Sequence, residues 1–186
     1  METQLNAGGN VGAEASLEMQ HAAHLKSLIN HHYMVECYKP DGSLRWREEF
    51  DNLVVTEGRN KYLDATLKTG LTTPAWYVGL KGAGALAAGD TMASHAGWSE
   101  VTPYSNANRP AFTPGTIASG SVDNSASKAV YNINATSTVV GAFMSSDNTK
   151  GGTTGTLLGG GDFANSRSVY SGDTLNVTVT ASLTSS

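Results

Sequence analysis

Histidines are the side chains whose spacing most suggests chemistry. Four of the five lie within twelve residues: His21, His24, His31 and His32. His21 and His24 are three residues apart, so on a helix they share one face and could hold a zinc or nickel ion with a glutamate. The candidates for that glutamate are Glu14, Glu18 and Glu36. Because neither an H-E-x-x-H pattern nor a second cysteine accompanies the pair, we predict partial burial or a pH-sensitive contact, and no metal site.

Nucleophilic catalysis has little support in the sequence. The chain has no G-x-S-x-G pattern, and His95 is the only histidine outside the N-terminal cluster. A Ser-His-Asp triad needs a base with a positioned partner, and no motif surrounds His95. We expect His95 to hydrogen-bond within a short helix over residues 90–97, with Asp90 as the helix cap. We predict no catalytic residue and no enzymatic activity.

Two glycine-rich runs match nucleotide-binding loops only in part. The first, Gly82-Ala83-Gly84-Ala85-Leu86-Ala87, follows a predicted strand and fits the dinucleotide pattern G-x-G-x-x-A. Gly89 and Asp90 interrupt the helix that this pattern requires. The second run, residues 151–155 with three more glycines at 159–161, lacks the Lys-Ser/Thr pair of a P-loop. We predict loops at both runs and no cofactor.

Charged and aromatic side chains of the predicted strands suggest two kinds of surface. Glu36, Glu48 and Glu49 are expected to form a solvated, partly ion-paired face with Arg45 and Arg47. The aromatic residues that could form a carbohydrate-binding platform are Trp46, Trp76, Tyr77, Trp98 and Tyr104. In a β domain such residues more often anchor a core or an interface, so both interpretations stay open.

Composition limits the class of protein. With 186 residues, 39% of them hydrophobic and 15% charged, the chain can bury a core, is too apolar for a disordered protein and has too few charges for a coiled coil. The net charge of -4 argues against a nucleic-acid partner. The sequence shows no apolar run of 18 residues and no secretion signal, so we expect a soluble, unprocessed chain without a membrane partner. The single cysteine excludes an internal disulfide.

A β-hairpin near the start of the chain is the clearest predicted element. The turn sequence Pro40-Asp41-Gly42-Ser43 separates residues 33–39 from residues 44–50. Proline presets the φ angle of such a turn, and glycine accepts a positive φ. The residues predicted to share one face of the hairpin are Val35, Cys37, Leu44 and Trp46. Cys37 is therefore predicted to be a small buried hydrophobic residue.

After the hairpin, the sequence predicts one helix and several strands. Thr56 is the expected N-cap of a helix that runs to residue 68 through Leu63 and Leu67, is weakened by Gly58 and ends at Gly70. Strands are expected over residues 76–80, 109–112, 128–135, 139–144 and 174–183. The last of these alternates apolar and polar residues, which is typical of a half-buried strand.

The N-terminal part of the chain is predicted to be organised differently. Residues 1–12 have no periodicity and contain adjacent glycines, which predicts an extended arm. Residues 13–30 carry a partly apolar stripe at helical spacing, formed by Leu17, His21, His24, Leu25 and Leu28. Such a helix would lie on the body of the protein or on a neighbouring molecule. We therefore divide the chain into residues 1–30, an arm and helix, and residues 31–186, a mainly β domain.

Blocks of sequence between residues 50 and 183 form a recognisable set. Those of the first part include Thr73-Pro74-Ala75-Trp76-Tyr77-Val78-Gly79-Leu80, Gly97-Trp98-Ser99-Glu100 and Asn108-Arg109-Pro110-Ala111-Phe112. Those of the second part include Val140-Gly141-Ala142-Phe143 and Gly172-Asp173-Thr174-Leu175. The set resembles a family of small structural proteins in the particles of tailed bacteriophages. The resemblance implies a virion component, such as a head decoration or cement protein, and it transfers no catalytic residue.

The residues and the resemblance together give one expectation. The fold should be mainly β, a β-sandwich or jelly-roll-like domain with short N-terminal helices and an extended N-terminal arm. The resemblance implies a protein on the capsid surface of the virion that binds the major capsid protein and itself, as a homo-oligomer, and takes no small-molecule substrate. The residues expected at these contacts are Leu17, His24, Leu28, Trp98 and Tyr104. The alternatives are a tail-associated fibre or adaptor component and a carbohydrate-binding module for host-surface glycans.

Overall fold

Two antiparallel sheets packed against each other form the part of the protein that the structure describes. The computed structural model describes residues 29–70 and 73–183. The first sheet has the order β2-β1-β11, and β7 and β8 both pair with the far side of β11. Its strands are β1 (Asn30–Tyr38), β2 (Leu44–Asp51), β7 (Ser121–Asp123), β8 (Ala129–Asn132) and β11 (Thr174–Ser182). The mainly β, sandwich-type fold predicted from the sequence is confirmed.

The second sheet has the order β3-β10-β9-β4-β5, and β6 also pairs with β4. Its strands are β3 (Leu53–Val54), β4 (Trp76–Gly84), β5 (Trp98–Val101), β6 (Ala111–Phe112), β9 (Ser137–Ser145) and β10 (Leu157–Val169). One α-helix, α1 (Thr56–Leu67), follows β3, and a single 3-10 turn at Ser125–Ser127 precedes β8. None of the helices in the described ranges is long and apolar enough to cross a bilayer.

The hairpin of β1 and β2 forms where the turn sequence predicts it. Gly42 has a φ of 81°, and the Asp41 carboxylate accepts hydrogen bonds from the Ser43 backbone N–H and hydroxyl at 2.8 and 2.7 Å. Cys37 pairs with Trp46 and is buried, as predicted. A bulge after Cys37 places Leu44 opposite Tyr38 instead. Leu44 is exposed in consequence and does not share the face of Cys37.

Strand β11 is the central strand of the first sheet and shows the predicted alternation. Leu175, Val177 and Val179 are fully buried. On its far side, β8 pairs with residues 174–177 and β7 with residues 180–182. Asn124 fills the gap between these two short strands, because its amide donates to the Val177 carbonyl at 3.2 Å and accepts from the Val179 N–H at 2.7 Å. One side chain thus completes the hydrogen bonding of β11.

The core lies between the sheets and is mostly aliphatic, with three buried tyrosines. Tyr131 crosses from the first sheet and donates its hydroxyl hydrogen to the Val78 carbonyl of β4 at 2.7 Å. A smaller cluster surrounds Phe143 on the other side of the second sheet, and its members include Val55, Met92, Trp98 and Leu157. Phe143 packs directly over Gly79, where a Cβ would lie 2.2 Å from the ring.

Helix α1 packs on β10 through glycine. A Cβ on Gly58 would lie 2.0 Å from the Leu158 carbonyl oxygen, so only glycine permits this approach. The expectation that Gly58 weakens the helix is therefore incomplete, since the residue is required for packing. Thr56 is the first helical residue rather than the N-cap, and no side chain caps the helix N-terminus at Val55. Leu63 and Leu67 are exposed, because the face with Gly58 and Tyr62 turns inward instead.

Three further expectations about elements are wrong, at least in part. Residues 82–84, which are predicted to lie in a loop, are the last three residues of β4, and the loop begins at Ala85. Residues 90–97 form turns and no helix. The Asp90 carboxylate accepts from the Ala87 N–H at 2.8 Å and from the Trp98 indole N–H at 3.0 Å, which holds the segment as a loop. The third error concerns residues 159–161, which lie inside β10 rather than in a loop. Residues 151–155 do lie in the loop before that strand.

The predicted arm and helix lie outside the described residues, apart from their last two positions. The chain bends at Ile29, and β1 already begins at Asn30, so the predicted helix cannot extend to residue 30. The division of the chain into residues 1–30 and 31–186 stays a prediction.

Replacing Gly58 tests the packing of α1. Gly58→Ala should lower the free energy of unfolding by about 2 kcal/mol, because overpacking against a backbone carbonyl outweighs the gain of about 1 kcal/mol in helix propensity. Gly89→Ala is the matched control, since nothing lies within 4 Å of the added Cβ, and it should change the free energy by less than about 0.5 kcal/mol. Urea denaturation measures both, and equal stability of the two variants would contradict the contact.

Candidate functional site

An open apolar groove lies at the end of the sandwich where β1 begins and β11 ends. Its volume is about 330 Å³. Helix α1 forms one wall, the ends of both sheets form the floor, and residues 114–117 form the lip. The residues that line it include Tyr62, Ala65, Trp76, Met144, Leu158 and Ile117. We refer to this feature as the apolar groove.

Three side chains joined by hydrogen bonds, Asn52, His31 and Tyr62, form the inner wall of the apolar groove. Asn52 accepts the His31 backbone N–H at 3.1 Å through its Oδ1, so its Nδ2 faces the His31 Nδ1 at 2.8 Å and donates to it. The ring proton of His31 then lies on Nε2, which donates to the Tyr62 hydroxyl oxygen at 2.6 Å. The hydroxyl hydrogen of Tyr62 remains available to a group in the groove.

Burial keeps this wall uncharged near neutral pH. Desolvation lowers the pKa of His31 to about 4 and raises the pKa of Tyr62 to about 12. Neither side chain therefore carries a charge at pH 7. A wall of this kind favours apolar side chains of a polypeptide over a charged small molecule.

The predicted histidine cluster divides between different environments. His31 and His32 are neighbours on β1, so their side chains point to opposite faces of the sheet. His32 lies on the surface, with Nδ1 3.0 Å from Asp51 and Nε2 3.4 Å from Glu49. Glu36, the candidate third ligand, binds Lys128 at 2.9 Å. His21 and His24 lie outside the described residues, and within those residues no group of three His, Cys, Asp or Glu could hold a metal ion.

An arginine with a buried guanidinium fixes the loop between β9 and β10. Arg109 binds both carboxylate oxygens of Glu100 at 2.9 and 2.7 Å. The same guanidinium donates to the carbonyls of Asp147 and Gly152, each at 2.8 Å. The pair is thus committed to holding loop backbone in place.

The charged face expected on the hairpin is less solvated than predicted. Glu48 is only 8% exposed and pairs with Arg167 on β10. Arg45 reaches the buried Asp173 at 3.0 Å, and Asp173 also accepts the Tyr170 N–H at 3.0 Å. Arg47 and Glu49 do form an exposed ion pair. The reason for the difference is that β10 lies beside β2 and covers Glu48.

The structure buries both described residues that were expected at intermolecular contacts. Trp98 is 6% exposed and lies 4.9 Å from Phe143 between ring centroids. Tyr104 is 1% exposed and packs edge-on against Tyr131 at 4.9 Å. Their aromatic rings fill the interior, so these side chains are corrected from contact to core residues. The other three expected contact residues, Leu17, His24 and Leu28, lie outside the described residues.

The five aromatic residues do not form a carbohydrate platform. Trp98 and Tyr104 are buried, and Trp46 lies on β2 of the first sheet while Trp76 and Tyr77 lie on β4 of the second. A platform for a carbohydrate needs several exposed rings on one surface, and these five rings are divided between two sheets and the core. His95 donates from Nδ1 to the Thr91 carbonyl at 3.1 Å and stacks on Trp98. Its partner lies within the predicted segment, although that segment is a loop.

Sequence reasoning missed the apolar groove because its walls come from segments far apart in the chain. His31 belongs to the histidine cluster that is predicted to be partly buried or to make a pH-sensitive contact, and it is fully buried. No sequence motif points to Tyr62. The one available signal was the face of α1 that carries Gly58 and Tyr62 four residues apart. Comparison of the sequence with protein-family models and with curated proteins finds no match.

The buried His31 makes stability depend on pH. Its pKa of about 4 in the folded state lies below the value of 6.5 in the unfolded state. Between these two pH values the unfolded state binds a proton at His31 and the folded state does not. The free energy of unfolding should therefore fall by about 2 kcal/mol between pH 7 and pH 5. Urea denaturation of His31→Gln should show that much less pH dependence over the same interval. An identical slope for both proteins would contradict the assignment.

Breaking the Arg109 pair should be costly because Glu100 would keep a buried charge. Arg109→Met should lower the free energy of unfolding by about 3–5 kcal/mol, and adding Glu100→Gln should restore part of that loss. Arg47→Met, in the exposed pair with Glu49, serves as control and should have a much smaller effect. Thermal denaturation compares the four proteins, and a double variant less stable than Arg109→Met would refute the coupling.

Proposed function

We propose that the protein is a bacteriophage head decoration protein, which binds the outer capsid lattice and stabilises it by bridging neighbouring subunits of the major capsid protein. The resemblance of residues 50–183 to small phage structural proteins supports this role. The observation that carries it is the apolar groove with its uncharged His31–Tyr62 wall. Such a groove suits contact with polypeptide side chains, which is the work of a decoration protein.

Three cationic side chains of the sandwich support a role in binding rather than chemistry. Lys81 has a fully buried side chain, and it pairs with Asp162 at 2.7 Å. Arg109 and Arg45 likewise hold backbone or neighbouring strands in place. These groups stabilise the sandwich, so they are not directed into a cavity where a substrate would bind.

Helix α1 offers an apolar surface for the lattice. Leu63 and Leu67 are 56% and 77% exposed on the outer side of the helix. Leucines one turn apart form a short apolar ridge, which can enter a depression on a partner. A symmetric shell repeats each such contact many times. A homo-oligomer that makes several of these weak contacts at once therefore binds the capsid tightly.

Adding the purified protein to capsids that lack it tests the proposal. We expect many copies distributed over the head in electron micrographs, and disruption of the complete particles at a higher temperature than of the bare ones. Leu63→Ser with Leu67→Ser should weaken capsid binding about tenfold or more, since each buried leucine contributes about 1.5–3 kcal/mol.

The matched control is Asn60→Ser with Thr69→Ser, two exposed polar positions at or near the same helix. This variant should bind as the wild type does. Particles without the protein that resist heat and chelator as well as complete particles would refute the proposal. A few copies at one vertex would point to the tail-associated alternative.

A further inference from the structure

We infer that the apolar groove selects a carbonyl oxygen together with an apolar side chain, because the Tyr62 hydroxyl is a hydrogen-bond donor without an acceptor among the described residues. On the capsid, the occupant is an extended segment of the major capsid protein that turns a free main-chain carbonyl to Tyr62 and an acidic side chain to the rim. The identity of this partner rests on the proposed function. The inference adds the chemistry by which the groove recognises it.

The hydrogen bonds of the inner wall fix the direction in which the Tyr62 hydroxyl acts. The His31 backbone N–H can only donate, so the Asn52 atom that faces it at 3.1 Å is the oxygen. The Asn52 amide nitrogen then donates to the His31 Nδ1 at 2.8 Å, which leaves the hydrogen of the neutral ring on Nε2. Nε2 donates to the Tyr62 oxygen at 2.6 Å. The other ring tautomer would set two donors against each other at Nδ1, so Tyr62 keeps its own hydrogen.

The Tyr62 hydroxyl hydrogen faces no acceptor within residues 29–70 and 73–183. The residues that line the groove with Tyr62 are mostly apolar and include Trp76, Met144 and Leu158. Water can accept this hydrogen while the groove is open. A partner whose apolar groups expel the water leaves the hydroxyl unsatisfied, which is unfavourable unless the partner itself supplies an acceptor.

The neutral wall favours a carbonyl over a carboxylate as this acceptor. His31 and Tyr62 carry no charge at pH 7 because burial moves the pKa of His31 to about 4 and that of Tyr62 to about 12. Nothing in the wall therefore offsets the cost of burying an anion there. The commonest neutral acceptor of a polypeptide is the main-chain carbonyl, which is free only where the chain is not paired in a helix or a sheet.

The size of the groove agrees with an extended segment. Its volume of about 330 Å³ is close to the lower limit of about 300 Å³ for ligand pockets, so it has room for a few aliphatic side chains and not for a whole helix. Successive side chains of an extended segment point to opposite sides. One apolar side chain can therefore enter the groove while the next lies at the rim.

Lys61 adds a charge requirement at the rim. This lysine lines the groove, and the two carboxylates of α1 within about one turn of it are bound to other groups. Glu57 accepts the Leu157 N–H at 2.8 Å, and Asp64 pairs with Lys68 at 2.7 Å. Lys61 makes no ion pair within the described ranges. Charge complementarity thus favours a segment with an acidic residue beside the apolar one.

Two small probes test the donor without any capsid. Methyl isoamyl ketone has a branched apolar tail and a carbonyl, and the matched alkene has a CH₂ group in place of the ketone oxygen. Shifts of the backbone N–H NMR signals of residues 61–65 in the full-length protein give both dissociation constants. Tyr62→Phe should weaken binding of the ketone about fivefold, the effect of one neutral hydrogen bond, and leave binding of the alkene unchanged.

A second measurement needs no variant. Ketone labelled with carbon-13 at the carbonyl should give, when bound to the wild-type protein, a carbonyl signal near its position in water. Its position in cyclohexane is the reference for a carbonyl without a hydrogen bond. The comparison holds even if Tyr62→Phe alters the shape of the groove.

Capsids that lack the protein connect the donor to its proposed partner. Cosedimentation should show a loss of affinity of about fivefold for Tyr62→Phe and of about two- to fivefold for Lys61→Met, with a weaker dependence on salt for the latter. The matched controls are Tyr170→Phe and Lys39→Met, two exposed positions away from the groove. Both controls should bind as the wild type does.

The outcomes separate the inference from the proposed function. Equal ketone binding by wild type and Tyr62→Phe, or a bound carbonyl signal at its cyclohexane position, would overturn the inference. Capsid affinity that Tyr62→Phe leaves unchanged would also overturn it, as would a dimer in solution that this variant dissociates, since the groove would then hold a second copy. If the wild type binds no capsid, the proposed function fails, and the probes still decide whether the groove selects a carbonyl.

Discussion

The close approach of helix α1 to strand β10 at Gly58 determines where the apolar groove lies. The Leu158 carbonyl occupies the space that a Cβ at position 58 would need. This contact sets the height and rotation of α1, and one turn later it aims Tyr62 at His31. Without that fixed rotation the hydroxyl would not meet the imidazole, and the groove would lose its inner wall. The absence of a side chain at Gly58 therefore determines the shape of a surface several residues away.

Burial and ion pairing act on different groups in this protein. Desolvation alone lowers the pKa of His31, whose neighbours Asn52 and Tyr62 are neutral. Arg109, in contrast, keeps its charge beside Glu100 and uses it to gather loop carbonyls. The first arrangement makes a neutral surface that apolar groups can cover. The second gives rigidity to loops of a domain whose sheets have few charges between them.

The sequence predicted the parts of the fold that depend on local signals. The hairpin around Gly42 and the alternation in β11 were recognised because turn chemistry and period two are visible in a few residues. Strand β10, the longest, was missed because glycines 159–161 and a polar second half resemble a loop. Trp98 and Tyr104 are expected at intermolecular contacts and Glu48 on a solvated face, and contacts between distant strands bury all three. The groove depends on such contacts throughout, so no local pattern could locate it.

The two short strands β7 and β8, which Asn124 joins at the edge of the first sheet, bear on contacts between copies of the protein. A long, regular edge strand exposes a row of unpaired backbone N–H and C=O groups. A strand of another copy can pair with these groups, and repeated pairing leads to aggregation. Here the edge consists of two separate strands of three and four residues. The side-chain amide of Asn124 binds the backbone of β11 between them. This edge of the sheet therefore offers a second copy no continuous strand on which to add.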